Sequence, residues 1–435
     1  MAHMEGLEEE DRVLVKPSYK EVRELLYGPL RSVFSWDRMD GIEYGLAGIH
    51  YITPAFRQEI SFATEVLGTI YAKTVLAVQS ADEALLLELG IPEEALSTVR
   101  VLVKPEMVTV IGRFDFVQTV TGIKMIEFNS DTPTSVVEAF FVNDKACSFF
   151  GAESPNGGME AQIGKAFTSI VHAYKDHGYA TDSIVFSALG WHNEDRDTTN
   201  YLLERSGLKA RFVALEDLRI SDDRLCALVD EQLVPIDIWY RLHALEKLAV
   251  ENDENDNYPT GAHVLDLVAR GKLALINPPS AFVAQTKALQ CLIWNLHVAG
   301  EFYKPLEHQW IEKYMLPTYM ENQFLNKSPY VSKPIFGREG GAVSLFEADG
   351  RLVERDKDGL YWDQAMIYQK RVEMEEIECT TEDGIYKGKL LWGSFLVGGK
   401  PSAICARIGG QITGNLSCFL PTGMKINRGE EGKCI

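Results

Sequence analysis

Acidic and basic side chains alternate with apolar ones in two neighbouring stretches of the chain. The stretches are residues 112–116, Gly-Arg-Phe-Asp-Phe, and residues 124–129, Lys-Met-Ile-Glu-Phe-Asn. Because successive side chains of a strand point to opposite faces, Arg113 and Asp115 share one face of the first stretch. Glu127 and Asn129 share a face of the second. A three-residue loop at 120–122, ending on a left-handed glycine, would place Asp115 opposite Glu127 and the arginine opposite the asparagine.

Two carboxylates directly opposite each other repel, so this hairpin needs a compensating cation. Arg113 alone is one explanation. A hard divalent cation is the other, because oxygen-only ligands suit Mg²⁺, and Asn129 would add a carbonyl ligand or orient a water. The spacing leaves both explanations open.

A lysine and a glycine-rich loop follow one another later in the chain. Residues 330–335 are strand-like and contain Lys333, residues 337–341 read Gly-Arg-Glu-Gly-Gly, and residues 342–346 resume a strand. Glycine-rich backbone can approach phosphates closely and offer its N–H groups to them. The pattern is neither a Walker A nor a dinucleotide-binding motif, since no helix follows it. An ordinary hairpin with a flexible tip remains the alternative.

The elements that must position these groups follow from capping and periodicity. Residues 18–98 are predicted to be mainly helical, with Ser18 and Thr53-Pro54 opening two helices and Asp82-Glu83 breaking the second. Strands and helices alternate through the middle of the chain. From residue 330 onward hairpins dominate, with turns at 349–350 and 398–399. This order predicts an α+β protein of several subdomains.

Composition limits the classes of function. The 435 residues are 46% hydrophobic and 24% charged, as in globular proteins, and the formal net charge is −20. Such a charge disfavours nucleic acid and anionic membranes as partners and is compatible with a cationic ligand. The seven cysteines are scattered without a CxxC pair, which argues against a disulfide framework or a zinc site and favours a cytoplasmic location. No apolar run reaches the roughly 18 residues that a membrane helix needs.

Taken together, the motifs resemble glutathionylspermidine synthase, specifically its synthetase domain and stand-alone relatives. The resemblance covers roughly residues 10–425. It rests on residues 112–115, 126–134, 333–334 and 337–340, and on 314–318, 367–369, 393–397 and 412–415. It implies an ATP-grasp fold, in which two β-rich lobes close over ATP, preceded by a pre-ATP-grasp α/β region and ending in an antiparallel sheet lobe. It also implies that ATP phosphorylates a carboxylate and that an amine then displaces the phosphate.

Residue roles carried over from the family concern both cofactors, ATP and Mg²⁺. The implied metal ligands are Asp115, Glu127 and Asn129. The implied ATP site consists of Lys287, Lys333, Gly337, Arg338, Gly340, Gly341 and Gln369. Arg113 and Arg407 would handle the acid and the transferred phosphate, and the implied substrate contacts are Thr132 and Thr134 for the acid and Glu194 and Asp195 for the amine. The open alternatives are a solvated helix lysine at 287, helix caps at 132 and 134, and ordinary acidic loop residues at 194 and 195.

The chain differs from the family pattern in segments that the resemblance places around the substrates. Residues 239–243, Trp-Tyr-Arg-Leu-His, stand where the family has a Pro-Trp-Glu-Trp-like block, and Arg407 is followed by Ile408-Gly409 instead of an acidic pair. We therefore expect an ATP-dependent acid–amine ligase acting on small-molecule or peptide acids and amines other than glutathione and spermidine. A true glutathionylspermidine synthase and an inactive nucleotide-binding protein are the alternatives. A homodimer is one of the oligomeric states left open.

Four segments are expected. They are a tag and N-terminal tail (1–17), a helical region (18–100), an α/β substrate- and metal-binding region (101–280) and an ATP-grasp lobe (281–435).

Overall fold

The computed structural model describes residues 17–338, 340–357, 359–414 and 417–425, and the structural statements below concern these residues. Apart from Pro17, the expected tag and tail lie outside them. So do Glu339 and Asn415 of the quoted motifs and the last ten residues of the predicted ATP-grasp lobe.

Helices open where the capping signals predict them. The hydroxyl of Ser18 accepts from the Glu21 N–H in a reciprocal capping box, and Thr53 accepts from the Phe56 N–H at 3.1 Å ahead of Pro54. The elements of this part are α1 (Tyr19–Tyr27), β1 (Arg38–Met39), β2 (Ile42–Glu43), β3 (His50–Ile52), α2 (Pro54–Gln79) and α3 (Glu83–Glu88). Asp82 caps α3, so the predicted break in the second helix is confirmed.

The middle of the chain combines a long hairpin with a small parallel sheet. Its elements are β4 (Ile111–Thr119), β5 (Gly122–Asn129), α4 (Asn143–Phe150), α5 (Ala161–Asp176), β6 (Ile184–Ser187), α6 (Asn193–Ser206), β7 (Ala210–Phe212), β8 (Leu218–Ser221), β9 (Arg224–Val229), β10 (Gln232–Pro235), β11 (Ile238–Arg241), α7 (Leu245–Leu248), α8 (Thr260–Ala269) and β12 (Ala274–Ile276). The parallel sheet has the order β12-β11-β6-β7, and β8, β9 and β10 form a separate antiparallel sheet. A π-helical turn, Glu138–Val142, precedes α4.

Antiparallel strands dominate the last part, as predicted. Its elements are α9 (Pro279–Gln285), α10 (Lys287–Ala299), α11 (Pro305–Tyr314), β13 (Thr318–Tyr319), β14 (Tyr330–Pro334), β15 (Ser344–Phe346), β16 (Leu352–Arg355), β17 (Met366–Lys370), β18 (Glu376–Thr381), β19 (Gly384–Val397), β20 (Lys400–Gly409), β21 (Cys418–Leu420) and β22 (Thr422–Met424). One five-stranded sheet has the order β13-β17-β14-β15-β16. Gly398 and Gly399 form the predicted turn between β19 and β20, with φ of 58° and 77° that only glycine adopts readily.

A second large sheet joins distant parts of the chain. Its order is β21-β20-β19-β4-β5, with β18 also paired to β19, so the hairpin of the middle region continues into strands of the last region. β22 in turn pairs with β3 near the start of the chain. The four-segment division of the sequence therefore stays a prediction, while the sheets run across its boundaries.

Helix accounts for 35% and strand for 27% of the structure, distributed over several sheets, which confirms the α+β class. The core consists of two clusters of buried apolar residues. One lies around α2, α9, α10 and the β4–β5 hairpin, and the other lies around α5 and the parallel sheet. Within the described residues, no helix has the length and apolar character needed to cross a membrane.

Candidate active site

The apolar face of the β4–β5 hairpin is buried, and this burial fixes the orientation of the charged side chains on the opposite face. Phe114 and Phe128 are direct cross-strand partners that stack at 3.8 Å, and both pack edge-on against Tyr71 of α2. Each of the three rings is at most 2% exposed. Because side chains alternate, this apolar anchor directs Arg113, Asp115, Glu127 and Asn129 to the other face.

The predicted register is confirmed, but its predicted origin is wrong. Asp115 pairs with Glu127, and Arg113 pairs with Asn129. The connecting loop, however, has two residues instead of three, because Thr119 already pairs with Gly122. A β-bulge between Asp115 and Phe116 restores the register by leaving Ile126 as the extra residue of β5.

Two guanidinium groups compensate Asp115. Arg113 Nε and Nη2 donate to its two oxygens at 2.6 and 3.0 Å, and Arg407 Nη2 of β20 donates at 3.0 Å. The carboxylate is fully buried, whereas 16% of the Arg407 side chain is exposed. Asp115 is thus held by arginines on two neighbouring elements. Compensation by Arg113, one of the two explanations from the sequence, is present here together with a second arginine.

Ammonium groups compensate Glu127. Lys287 Nζ lies 3.4 Å from Glu127 Oε2, and 26% of the glutamate side chain is exposed. Burial would raise the pKa of Glu127, but Lys287 and Lys333 lower it to about 2. Glu127 is therefore ionised and reachable from the cleft.

Lys333 lies on β14, where it faces the hairpin. Its Nζ donates to Gln369 Oε1 at 2.9 Å and to the carbonyl of Ile126, the bulged residue, at 3.2 Å. Burial lowers the pKa of Lys333 to about 8, against the attraction of Glu127, which raises it. The sequence predicts one inward-facing lysine on this strand, and in the structure Lys333 has this orientation.

Asn129 bridges the two carboxylates. Its Nδ2 donates to Asp115 Oδ2 at 3.3 Å and to Glu127 Oε1 at 3.2 Å. The amide N–H₂, not the carbonyl expected from the sequence, thus faces the acidic pair. A half-turn of the amide would present its oxygen to the same point.

The glycine-rich loop packs against the lysines and against the end of the last sheet. The carbonyl of Gly337 accepts from Lys287 Nζ at 3.0 Å. Gly340 has φ of 75°, and a Cβ there would meet the Thr413 carbonyl at 2.8 Å. A Cβ at Gly341 would lie 2.7 Å from the Tyr361 ring. Both glycines are needed for this close approach.

All the predicted site residues except Asp115, Glu194 and Asp195 line one cleft. Asp115 lies directly behind its two arginines. Glu194 and Asp195 lie in the first turn of α6, outside that lining. The cleft therefore unites the expected metal, ATP and acid residues but not the expected amine residues.

Thr132 and Thr134 line the cleft, and the carbonyl of Thr134 accepts from Arg113 Nη1 at 2.7 Å. The alternative role, capping the following helix, is not observed among the described residues: that helix begins at Val136, and the Thr134 hydroxyl accepts from Arg113 Nη1 at 3.5 Å instead of from a backbone N–H of the first turn.

Sequence reasoning missed a buried ion pair beneath the site. Arg241 of β11 and Asp131 form a two-bond pair at 2.8 and 3.1 Å, with both side chains fully buried. Asp131 belongs to the motif after β5, and Arg241 belongs to the stretch that departs from the family. A lone arginine in an otherwise apolar strand was the signal for such a pair.

Two buried amides fix the base of the hairpin and were also missed. The side chain of Asn277 accepts from the Val110 and Ile111 N–H groups at 2.9 and 3.0 Å and donates to the Asp131 carbonyl at 2.7 Å. Gln285 Oε1 accepts from the Ser130 N–H at 2.8 Å. Both strands of the hairpin are thereby tied to β12 and α9.

Comparisons with known proteins show which family and which fold this chain resembles. A Haemophilus influenzae protein named "Putative acid--amine ligase" is 25% identical over 327 residues, which cover 71% of this chain and 73% of that protein. The apo structure of a glutathione synthetase-like effector, GSS30 from Globodera pallida, superposes with a TM-score of 0.55 at 12% identity, covering 94% of this chain and 98% of that one. The second likeness concerns the fold alone.

The family described as "Glutathionylspermidine synthase preATP-grasp" matches residues 29–425, which is nearly the whole chain. Together with the solved neighbour, this match confirms the predicted ATP-grasp type of fold. The chain belongs to the glutathionylspermidine synthase pre-ATP-grasp family.

Proposed function

We propose that the chain is an ATP-dependent ligase that joins a carboxylic acid to an amine through an acyl phosphate. The observation that carries the proposal is the convergence of two lysines, two arginines and two carboxylates in and behind one cleft beneath a glycine-rich loop. Family membership and the name of the Haemophilus relative support a ligase.

The residues of the cleft fit ATP and Mg²⁺. Lys287 and Lys333 present ammonium groups beside glycine backbone, which is the chemistry that holds phosphates. Glu127 offers carboxylate oxygens on the cleft wall, with Asp115 next to it, and Asn129 would offer its amide oxygen after a half-turn of the side chain. Oxygen ligands suit Mg²⁺. Bound there, the metal would neutralise charge on the phosphates.

The arginines would act on the acid. Arg113 and Arg407 would hold its carboxylate and the transferred phosphoryl group, and stabilising the charge that develops there is the main catalytic requirement. A carboxylate oxygen attacks the γ-phosphorus and ADP leaves. The amine nitrogen then attacks the acyl carbon, the C–O bond to phosphate breaks, and the nitrogen loses a proton.

We further propose that the acid and amine differ from glutathione and spermidine. The substrate surroundings, not the phosphate-handling residues, depart from the family around Arg241 and after Arg407. Glu194 and Asp195, carried over as an amine site, lie outside the cleft lining. A site built on polar contacts rejects an analogue that leaves those groups unpaired.

The deciding experiment measures nucleotide products with a panel of acids and amines. ADP and phosphate are expected, and hydroxylamine should trap the activated acid as a hydroxamate. Lys333→Met is the matched control, since it removes an ammonium group from the cleft while keeping the volume of the side chain. AMP and pyrophosphate as products would refute the acyl phosphate mechanism.

A steady-state comparison separates the two ligase candidates. If glutathione with spermidine turns over at roughly 1 s⁻¹ or more, an ordinary enzyme rate, the chain is a true glutathionylspermidine synthase and the proposed substrate difference is wrong. A lack of ADP release with every acid and amine, despite ATP binding, would favour the inactive nucleotide-binding protein.

A further inference from the structure

Three polar side chains form a buried row across the five-stranded sheet. Lys333 of β14, Gln369 of β17 and Thr318 of β13 stand on adjacent strands, and Gln369 pairs with Thr318 on one side and with Val331 on the other. Because paired residues point to the same face and side chains alternate along a strand, all three polar side chains share one face. None is more than 7% exposed, so their hydrogen bonds are made within the protein.

The hydrogen bonds at the inner end of this row have a fixed direction. The hydroxyl of Thr318 carries a single hydrogen, which it donates to the backbone carbonyl of Leu316 at 2.8 Å. The hydroxyl oxygen can then only accept, and it accepts from Gln369 Nε2 at 3.2 Å. Gln290 Oε1 of α10 accepts from the same nitrogen at 3.3 Å. A backbone carbonyl, which cannot donate, thus sets the orientation of the Gln369 carboxamide.

That orientation determines what Lys333 meets. With its nitrogen bound to Thr318, the carboxamide of Gln369 turns its oxygen to the lysine and accepts from Nζ at 2.9 Å. A half-turn would place an N–H₂ group against the ammonium group, so that two donors would face each other without an acceptor. Among the described residues, the other acceptor for the ammonium group is the Ile126 carbonyl, at 3.2 Å. The position of the ammonium group therefore depends on the Gln369 oxygen.

We propose that Thr318 is a positioning residue for nucleotide binding, which acts through Gln369 to hold the Lys333 ammonium group in place for the phosphates. This inference rests on the proposed function, because it takes Lys333 as a phosphate contact. Neither Thr318 nor Gln290 lines the cleft, so their effect on ATP has to pass through their neighbours. The side chain of Gln369 then serves the ATP site by holding Lys333 instead of by binding the nucleotide.

The test measures the Kd for ATP with Mg²⁺ by isothermal titration calorimetry of the full chain. Thr318→Val keeps the shape of the side chain but removes its hydroxyl, and the Kd should rise about three- to tenfold, as for the loss of one hydrogen bond. Thr318→Ser keeps the hydroxyl and should bind ATP like the wild type. This rescue by the conservative variant is what an orienting hydroxyl predicts.

Thr98→Val is the matched control. Thr98 is fully buried outside the cleft, and its hydroxyl donates to the carbonyl of Leu265 at 2.7 Å. The substitution therefore also leaves a buried carbonyl without its donor, but the Kd for ATP should not change. Gln290→Met is a second, independent variant, since it removes the other acceptor of Gln369 without affecting the Leu316 carbonyl. It should raise the Kd about two- to fivefold.

A double-mutant cycle with Lys333→Met separates positioning from a general structural effect. If Thr318 acts through Lys333, Thr318→Val should add no further loss of affinity once the ammonium group is gone. A structural effect would weaken ATP binding by the same factor with and without the lysine.

Additive losses in the cycle, or wild-type affinity in both Thr318→Val and Gln290→Met, would overturn the inference and leave the proposed function intact. Absence of ATP binding by the wild type, or unchanged binding by Lys333→Met, would overturn the inference together with the role of Lys333 in the proposed function. The two failures are thus distinguished by the wild type and Lys333→Met alone.

Discussion

The two facing carboxylates of the hairpin should respond very differently to the loss of their charge. Asp115→Asn and Glu127→Gln are both isosteric and remove one negative charge each. Asp115 is fully buried between Arg113 and Arg407, at 2.6 to 3.0 Å, whereas Glu127 is 26% exposed and lies 3.4 Å from Lys287. The partners of the two carboxylates differ, and this difference determines how far each substitution lowers the free energy of unfolding.

Arginine cannot shed its proton, so Asp115→Asn leaves two permanent charges without their counterion. Removing one member of a buried pair costs about 3–5 kcal/mol. Lysine can shed its proton, and the pKa of Lys333 is already about 8. At pH 8, therefore, the loss of Glu127 leaves Lys287 as the ammonium group without its counterion. The free energy of unfolding should then fall by roughly 1–2 kcal/mol.

Thermal unfolding followed by circular dichroism measures the difference. An unfolding entropy of about 2.1 cal/mol/K per residue gives roughly 0.9 kcal/mol/K for 435 residues. The Tm should then fall by about 3–6 °C for Asp115→Asn and by about 1–2 °C for Glu127→Gln. If Glu127→Gln lowers the Tm as much as Asp115→Asn, the distinction between permanent and titratable partners is wrong.

The remaining predictions concern ligand and structure. Mg²⁺ with ATP at 100 times its Kd should raise the Tm by about 3 °C, since it adds about 2.7 kcal/mol to the free energy of unfolding; no shift at millimolar ATP would contradict a nucleotide site. Lys333→Met should reduce that shift by weakening ATP binding at least about tenfold, measured by calorimetry. Gly340→Ala should lower nucleotide affinity, because a Cβ there meets the Thr413 carbonyl at 2.8 Å, whereas Gly359→Ala, with open space around it, should not. Arg241→Met should cost about 3–5 kcal/mol in urea unfolding by stranding Asp131; a cost below 1 kcal/mol would refute that role.

The sequence predicted the helices with clear caps and the register of the β4–β5 hairpin, but not how that register arises. Alternation identifies which side chains share a face as long as the period of two is unbroken. A β-bulge interrupts the two-residue alternation of side chains, and no sequence motif marks where it occurs. Here the shorter loop and the extra residue, Ile126, offset each other, so Asp115 and Glu127 face as predicted.

Residues whose role depends on distant parts of the chain could not be predicted from pattern alone. Lys287 looks like a solvated helix lysine, yet it is 5% exposed because the Gly337 loop and Glu127 pack on it. Asp131 and Arg241 are 110 positions apart, and they meet because the end of β11 packs against the segment that follows β5. Helix and strand propensities of a local segment do not predict contacts between residues so far apart in the sequence.

The bulge explains how the β4–β5 hairpin and strand β14 meet at one point. An extra residue in a strand has no partner across the ladder, so the carbonyl of Ile126 is free to accept from Lys333 at 3.2 Å. Gln369 of the adjacent strand accepts from the same ammonium at 2.9 Å. Lys333 is thereby held by neutral acceptors instead of by a carboxylate. Among the described residues its ammonium group has no carboxylate in close contact, as the phosphate contact proposed for it requires, and the same irregularity that aligns Asp115 with Glu127 provides this arrangement.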